Sequence, residues 1–103
     1  MKGDYWESIV QIAAWDRNAD VYPNKGCTGS ADMVLGINGE FIPIDVKSMR
    51  WDFRTGHWKA TGAQKENVWI VYVNPETREI RWPYQDASKK SFQCPEGLEG
   101  FWD

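Results

Sequence analysis

The sequence of 103 residues predicts a single α+β domain in which one helix precedes two β-hairpins. An amphipathic stripe near the start of the chain predicts a helix. The stripe consists of Trp6, Ile9, Val10, Ile12 and Ala13. Two stretches rich in β-branched residues, each interrupted by a turn sequence, predict the hairpins. The residues from about 85 mix Ser, Lys, Gly and Pro, and we expect this tail to be loosely ordered.

The helix is expected over about residues 5–17. Asp4 is suited to be its N-cap, with Glu7 as the capping-box partner three residues later, so Glu7 has a purely structural explanation. Val21-Tyr22 before Pro23 predicts a short strand, and the Gly/Asn/Thr-rich stretch 24–30 predicts a loop.

The first hairpin is the most informative segment. Strand-like stretches over 31–37 and 40–47 flank Asn38-Gly39, and this pair favours a type I′ turn because both residues tolerate positive φ. Pro43 fits such a strand only at an edge, at a bulge or where its missing N–H is not needed. The second hairpin is expected from a strand over 68–73, a turn over 74–77 and a strand over 79–82.

Pairing the first hairpin outward from its turn brings two acidic residues together. Asp32 falls directly opposite Asp45, and Ser30 falls opposite Lys47. Alternation along the strand places Asp45 and Lys47 on one face and the apolar residues on the other. Those apolar residues are Ile42, Ile44 and Val46.

Two facing carboxylates repel each other by on the order of 3 kcal/mol at ~5 Å and an effective dielectric near 20. A divalent cation would relieve this repulsion, and a carboxylate pair plus water is an expected ligand set for Mg²⁺. Such an ion can activate a water and neutralise charge on a phosphodiester, and Lys47 can bind the phosphate in the transition state. The alternatives are two surface carboxylates in a slipped register and a solvated lysine at a strand end.

Charge is distributed unevenly along the chain. The formal net charge of −3 argues against a surface coated with positive charge. The segment 47–65 is nevertheless basic and rich in aromatic residues, with Thr55-Gly56 as a possible turn, and it could bind a polyanion locally. An ordinary exposed hairpin is the alternative for this segment. Its expected phosphate contacts are Arg50, Arg54, His57, Lys59 and Lys65.

Two groups of motifs together resemble the PD-(D/E)XK nuclease superfamily. The core of the resemblance is Gly29-Ser30-Ala31-Asp32, a hairpin, and Ile44-Asp45-Val46-Lys47. Glu7 with Lys2-Gly3-Asp4, and Tyr72-Val73-Asn74-Pro75 through Trp82-Pro83, resemble its homing-endonuclease branch. Archaeal-type Holliday junction resolvases share the same order of acidic residues and lysine. The resemblance covers roughly residues 2–84.

The resemblance implies a restriction-endonuclease-like core, a central mixed β-sheet flanked by helices. It implies that Asp32, Asp45 and the carbonyl of Val46 bind Mg²⁺, for which Mn²⁺ should substitute, and that Glu7 completes the site directly or through water. Lys47 would be the catalytic lysine. Ala31 stands where the motif has Pro, a common departure that changes nothing in this interpretation. No clear helix follows Lys47, where many members have one, so the layout of 48–67 and any role of Gln64 stay open.

We therefore expect a Mg²⁺-dependent DNA endonuclease, with homing-type cleavage preferred over four-way-junction resolution. A catalytically inactive DNA-binding module of the same fold is an alternative, as is a toxin or interaction protein that uses its acidic tail. Cutting both strands with one small active site per subunit suggests a homo-oligomer, a dimer or larger.

Other classes of protein are disfavoured. Cys27 and Cys94 are the only cysteines and have no histidine at metal-ligand spacing. No apolar stretch approaches 18 residues. We expect no membrane partner, no small-molecule cofactor and an intracellular, soluble protein of a prokaryotic cell or a phage-infected host. His57 is a weaker candidate for a general base than for a phosphate contact.

Overall fold

The computed structural model describes residues 2–23, 31–61, 67–84 and 93–102. These residues form a mixed α+β fold, as predicted, with one helix and seven strands. The elements are α1 (Lys2–Asp16), β1 (Asp20–Pro23), β2 (Met33–Ile37), β3 (Glu40–Ser48), β4 (Arg50–Asp52), β5 (His57–Lys59), β6 (Trp69–Val73) and β7 (Ile80–Arg81). Within the described residues the sheet is flanked by this single helix, and no helix is long and apolar enough to cross a membrane.

The main sheet has five strands in the order β1-β2-β3-β6-β7. All its neighbours are antiparallel except β3 and β6, which run parallel, so the predicted mixed sheet is confirmed. β4 and β5 form a separate antiparallel pair. This hairpin therefore occupies part of the connection that carries the chain from β3 to β6.

The first turn of α1 differs from the prediction. The helix begins at Lys2, so Asp4 lies inside it and the N-cap and capping-box assignments are wrong. An acidic residue near a helix start is also favoured by the helix dipole, and that preference does not depend on the N-cap position. The helix ends in a Schellman motif, with Asn18 at φ 64° and the Ala19 N–H donating to the carbonyl of Ala14 at 3.0 Å.

The predicted β2–β3 hairpin is confirmed. Asn38 and Gly39 have φ values of 52° and 83°, as a type I′ turn requires. The pairs run from Ile37↔Glu40 to Met33↔Ile44, in the predicted register. Pro43 lies one residue before β3 begins to pair with β6, where a missing N–H interrupts no ladder.

Two apolar clusters cover the two faces of the main sheet. The larger one lies between α1 and the sheet and includes Val10, Ile44 and Val71. The smaller one lies on the opposite face, because Ile70 and Tyr72 alternate along β6 with residues of the larger cluster. Its other members are Met49, Ala60 and the half-buried Trp58.

The β6–β7 hairpin has the predicted turn. The Asn74 side-chain oxygen accepts hydrogen bonds from the amides of Glu76 at 2.8 Å and Thr77 at 3.1 Å. The Arg78 guanidinium then lies 4.7 Å from the centre of the Tyr5 ring, which is a cation–π contact. This contact ties the hairpin to the first half of α1.

Residues 93–102 pack against the larger cluster, whereas residues 85–92 lie outside the described part of the chain. Trp102 is 7% exposed and lies 5.8 Å from the Trp82 ring. Arg17 donates to the carbonyls of Phe101 at 2.9 Å and Trp102 at 3.0 Å. This end of the tail, expected to be loosely ordered, is thus held by hydrogen bonds and by an apolar anchor. The composition of the tail did not indicate these partners.

Candidate active site

Asp32 sits where the β2–β3 ladder becomes irregular. Its N–H donates to the carbonyl of Ile44 at 2.8 Å, although Ile44 is already paired with Met33. Two residues therefore face one, the arrangement of a β-bulge, which often re-aims a side chain next to a functional site. The Asp32 carboxylate accepts a hydrogen bond from the Val46 N–H at 2.8 Å, so it is fixed against β3.

The side chain of Asp45 contacts the side chain of Asp32. The two carboxyl groups are within hydrogen-bonding contact, as the sequence predicted. The backbone route differs from the prediction, because the bulge replaces a regular Asp32–Asp45 pair. The Asp45 side chain is only 9% exposed, whereas that of Lys47 is 47% exposed and places its ammonium 3.7 Å from the Asp45 carboxylate. Ser30, expected opposite Lys47, lies outside the described residues.

The electrostatics of this pair favour a bound cation. Burial and the hydrogen bond with the Asp45 carboxyl raise the pKa of Asp32 from 3.8 to about 6. The charges of Asp45 and Glu7 act in the same direction, while the Val46 N–H partly opposes them. The two carboxylates therefore repel each other when both are ionised, and a bound cation would reduce this repulsion.

Glu7 approaches the pair from α1. Its side chain is half-buried, and its negative charge contributes to the raised pKa of Asp32. Among the described residues, however, no three His, Cys, Asp or Glu side chains are grouped tightly enough to hold a metal ion. Of the two options for Glu7, a contact through water fits this arrangement better than direct coordination.

The oxygens of Asp32 and Asp45 fit a small divalent cation. The two carboxyl groups are in contact, and Mg²⁺ is commonly held by one or two carboxylates while retaining several waters. The Val46 amide is bonded to Asp32, which places the Val46 peptide beside the pair. Coordination by the Val46 carbonyl remains a prediction.

The predicted phosphate contacts Arg50, Arg54, His57 and Lys59 all lie on the β4–β5 hairpin and are exposed. Lys65 and Gln64 lie outside the described residues. Lys59 forms an ion pair with Asp52 at 3.6 Å. The segment is thus a hairpin, and both earlier interpretations of it, an exposed hairpin and a polyanion contact, agree with this structure.

Tyr72 is a neighbour of the site that the sequence did not reveal. It is the register partner of Lys47 on β6, so the two side chains share one face of the sheet. Burial raises the pKa of Tyr72, and the nearby charge of Arg50 opposes that rise. The alternation of Ile70 and Tyr72 could have indicated this position only if the parallel pairing of β3 with β6 had been known.

The fold has a solved structural neighbour. Over 78% of this chain it superposes with a TM-score of 0.65 and 20% sequence identity on a structure described as that of a bacterial homing endonuclease, I-Ssp6803I. The aligned region spans 60% of that chain. No protein-family model matches the sequence, and no curated protein matches it either. The similarity establishes a shared fold.

Proposed function

We propose that this protein is a divalent-metal-dependent DNA endonuclease of the PD-(D/E)XK superfamily. The observation that carries the proposal is the contact of the Asp32 and Asp45 carboxylates, with the Lys47 ammonium 3.7 Å from Asp45. A fold shared with a homing endonuclease supports DNA as the substrate and homing-type cleavage over junction resolution.

In this proposal Asp32 and Asp45 hold Mg²⁺, with the Val46 carbonyl as a further ligand and Glu7 acting through water. A bound Mg²⁺ supplies Lewis acidity at the scissile phosphate and lowers the pKa of an attacking water. Lys47 keeps its ammonium beside the pair and stabilises the charge that develops on the phosphate. The exposed cations of the β4–β5 hairpin bind the DNA backbone on either side.

Cutting both strands of a duplex calls for two active sites, one for each strand. The described part of this chain carries one candidate site, so we also propose that the active form is a homo-oligomer. Light scattering of the protein alone and with DNA measures this directly. A monomer in both samples would contradict the proposal and would indicate a nicking enzyme.

The test of activity compares plasmid, four-way junction and single-stranded DNA in Mg²⁺, in Mn²⁺ and in EDTA. The parent should cut plasmid in either metal and not in EDTA. Asp45→Asn should abolish cutting while leaving DNA affinity within a few-fold. Asp20→Asn is the matched control, because Asp20 is an exposed carboxylate on β1 and should retain full activity.

Each outcome separates the candidates. Cutting by Asp45→Asn in Mg²⁺ would overturn the proposed site. DNA binding that persists in EDTA, without cleavage in any metal, would identify a DNA-binding module. Exclusive cleavage of the junction would identify a resolvase.

A further inference from the structure

Phe53 is the most exposed large hydrophobic residue in the described part of the chain. It is 90% exposed, whereas Phe41, the next in order, is 71% exposed and still lies 5.9 Å from the Tyr22 ring. Phe53 lies at the tip of the β4–β5 hairpin, between Asp52 and Arg54. Phe53 belongs to neither of the two apolar clusters described above.

The tip that carries Phe53 is a structured turn. The Asp52 carboxylate accepts a hydrogen bond from the Arg54 N–H at 2.9 Å, and the Asp52 carbonyl accepts one from the Gly56 N–H at 2.8 Å. Gly56 has a φ of 70°, which glycine adopts without strain. The outward position of the Phe53 ring is therefore set by the backbone of the turn.

The base of the hairpin is anchored beside the candidate active site. Trp58 packs into the smaller cluster with Tyr72, and Tyr72 is the register partner of Lys47. Trp51 lies 5.4 Å from Trp58, edge to face, on the same side of the hairpin. The hairpin thus projects from the face of the sheet that carries Asp45 and Lys47.

The charge around the tip matches a polyanion. Asp52 is paired with Lys59, whereas Arg50 and Arg54 form no ion pair with any carboxylate in the described ranges. Arg54 directly follows the exposed Phe53 ring, and Arg50 lies opposite Lys59 at the base of the same hairpin. Guanidinium groups spread along a hairpin that ends in an exposed ring suit a nucleic acid, in which flat bases are flanked by phosphates. They fit an apolar protein surface poorly, because their charge would have to be desolvated.

We propose that the hairpin tip binds DNA by stacking the Phe53 ring on a nucleobase at an opened base step, with Arg54 on an adjacent phosphate and Arg50 on a phosphate nearer the base of the hairpin. Apolar side chains inserted in this way unstack and kink a duplex, and steps that open readily are favoured. Phe53 would then be a specificity-determining residue. This inference rests on the proposed function, since it assumes that DNA is the substrate.

The experiment uses two short duplexes, one fully paired and one with a single mismatch next to 2-aminopurine, in EDTA so that binding is observed without cleavage. The parent should bind the mismatched duplex more tightly and change its 2-aminopurine fluorescence. Phe53→Ala should weaken that binding about 5- to 150-fold, the range for loss of one base–aromatic stack, and should lose the fluorescence change. Phe53→Trp should keep both the tight binding and the fluorescence change of the parent, whereas Phe53→Leu should lose both.

Phe41→Ala is the matched control, an exposed phenylalanine near the turn at the opposite end of β3 from Asp45 and Lys47. It should bind like the parent. Equal affinities and equal fluorescence for Phe53→Ala and Phe41→Ala, or no preference of the parent for the mismatch, would overturn the stacking contact. Mg²⁺-dependent cutting of plasmid by the parent would then leave the proposed function standing. A parent that neither binds nor cuts DNA would overturn both.

Discussion

At the residue scale, the Asp32 carboxyl should make the stability of the metal-free protein depend on pH. Its pKa in the folded chain is about 6, above its usual value of 3.8, so the folded chain binds this proton more tightly than the unfolded chain. Stability should therefore decrease as the pH rises from about 4 to about 6 in EDTA. Asp32→Asn cannot titrate and should lack this component while still accepting the Val46 hydrogen bond.

The measurement is the melting temperature of parent and Asp32→Asn across this pH range, in EDTA and in Mg²⁺. Bound Mg²⁺ should raise the melting temperature of the parent most above pH 6, because the ion competes with the proton and binds only the folded site. A difference between the two proteins that does not change with pH would show that Asp32 titrates normally.

Lys47 should affect the rate and leave metal binding intact. Lys47→Ala removes the ammonium beside Asp45 and should slow cleavage roughly 10²- to 10³-fold, the scale for one transition-state contact. It also removes a positive charge from the pair, so Mg²⁺ affinity should stay equal or rise. Single-turnover rates with saturating DNA, together with Mg²⁺ titration by calorimetry, separate the two effects. Weaker Mg²⁺ binding would show that Lys47 supports the ligands rather than the phosphate.

At the scale of elements, local signals predicted local structure. Asn38-Gly39 predicted both the turn type and the register of five pairs, and that register placed Asp32 close to Asp45 along the two strands. The bulge at Asp32 has no signature in the sequence, because it depends on the Val46 amide of the other strand. The parallel pairing of β3 with β6 joins residues about 25 positions apart, and no turn sequence specifies it.

Substitutions in the β2–β3 turn should change the stability of the fold more than the activity of the candidate site. Gly39 has a φ of 83° and no atom within 4 Å of an added Cβ, so Gly39→Ala costs backbone strain alone. We expect a loss of about 1–2 kcal/mol, or about 4–8 °C in melting temperature per kcal/mol. Gly39→Asn should lose less, because asparagine tolerates positive φ. Equal melting temperatures for Gly39→Ala and the parent would contradict the type I′ geometry.

At the scale of the whole molecule, the two ends of the described chain stabilise each other. Arg17, just after α1, binds the carbonyls of Phe101 and Trp102, while the Trp82 indole N–H donates to the Leu98 carbonyl at 2.7 Å. These contacts join residues that are 16 to 85 positions apart. The composition of the tail could not reveal them, because each partner is distant in the sequence.

The tail should therefore contribute directly to folding stability. Trp102 is 7% exposed and packs on Trp82, so Trp102→Ala should lower the free energy of unfolding by about 3–5 kcal/mol, the usual cost of truncating a buried aromatic. Trp15→Ala is the matched control, since Trp15 lies 54% exposed on α1 and its removal should cost well under half as much. Urea unfolding of the three proteins gives both values on one scale. Equal midpoints for the two variants would mean that residues 93–102 are not packed as described, and that the core between α1 and the sheet is complete without them.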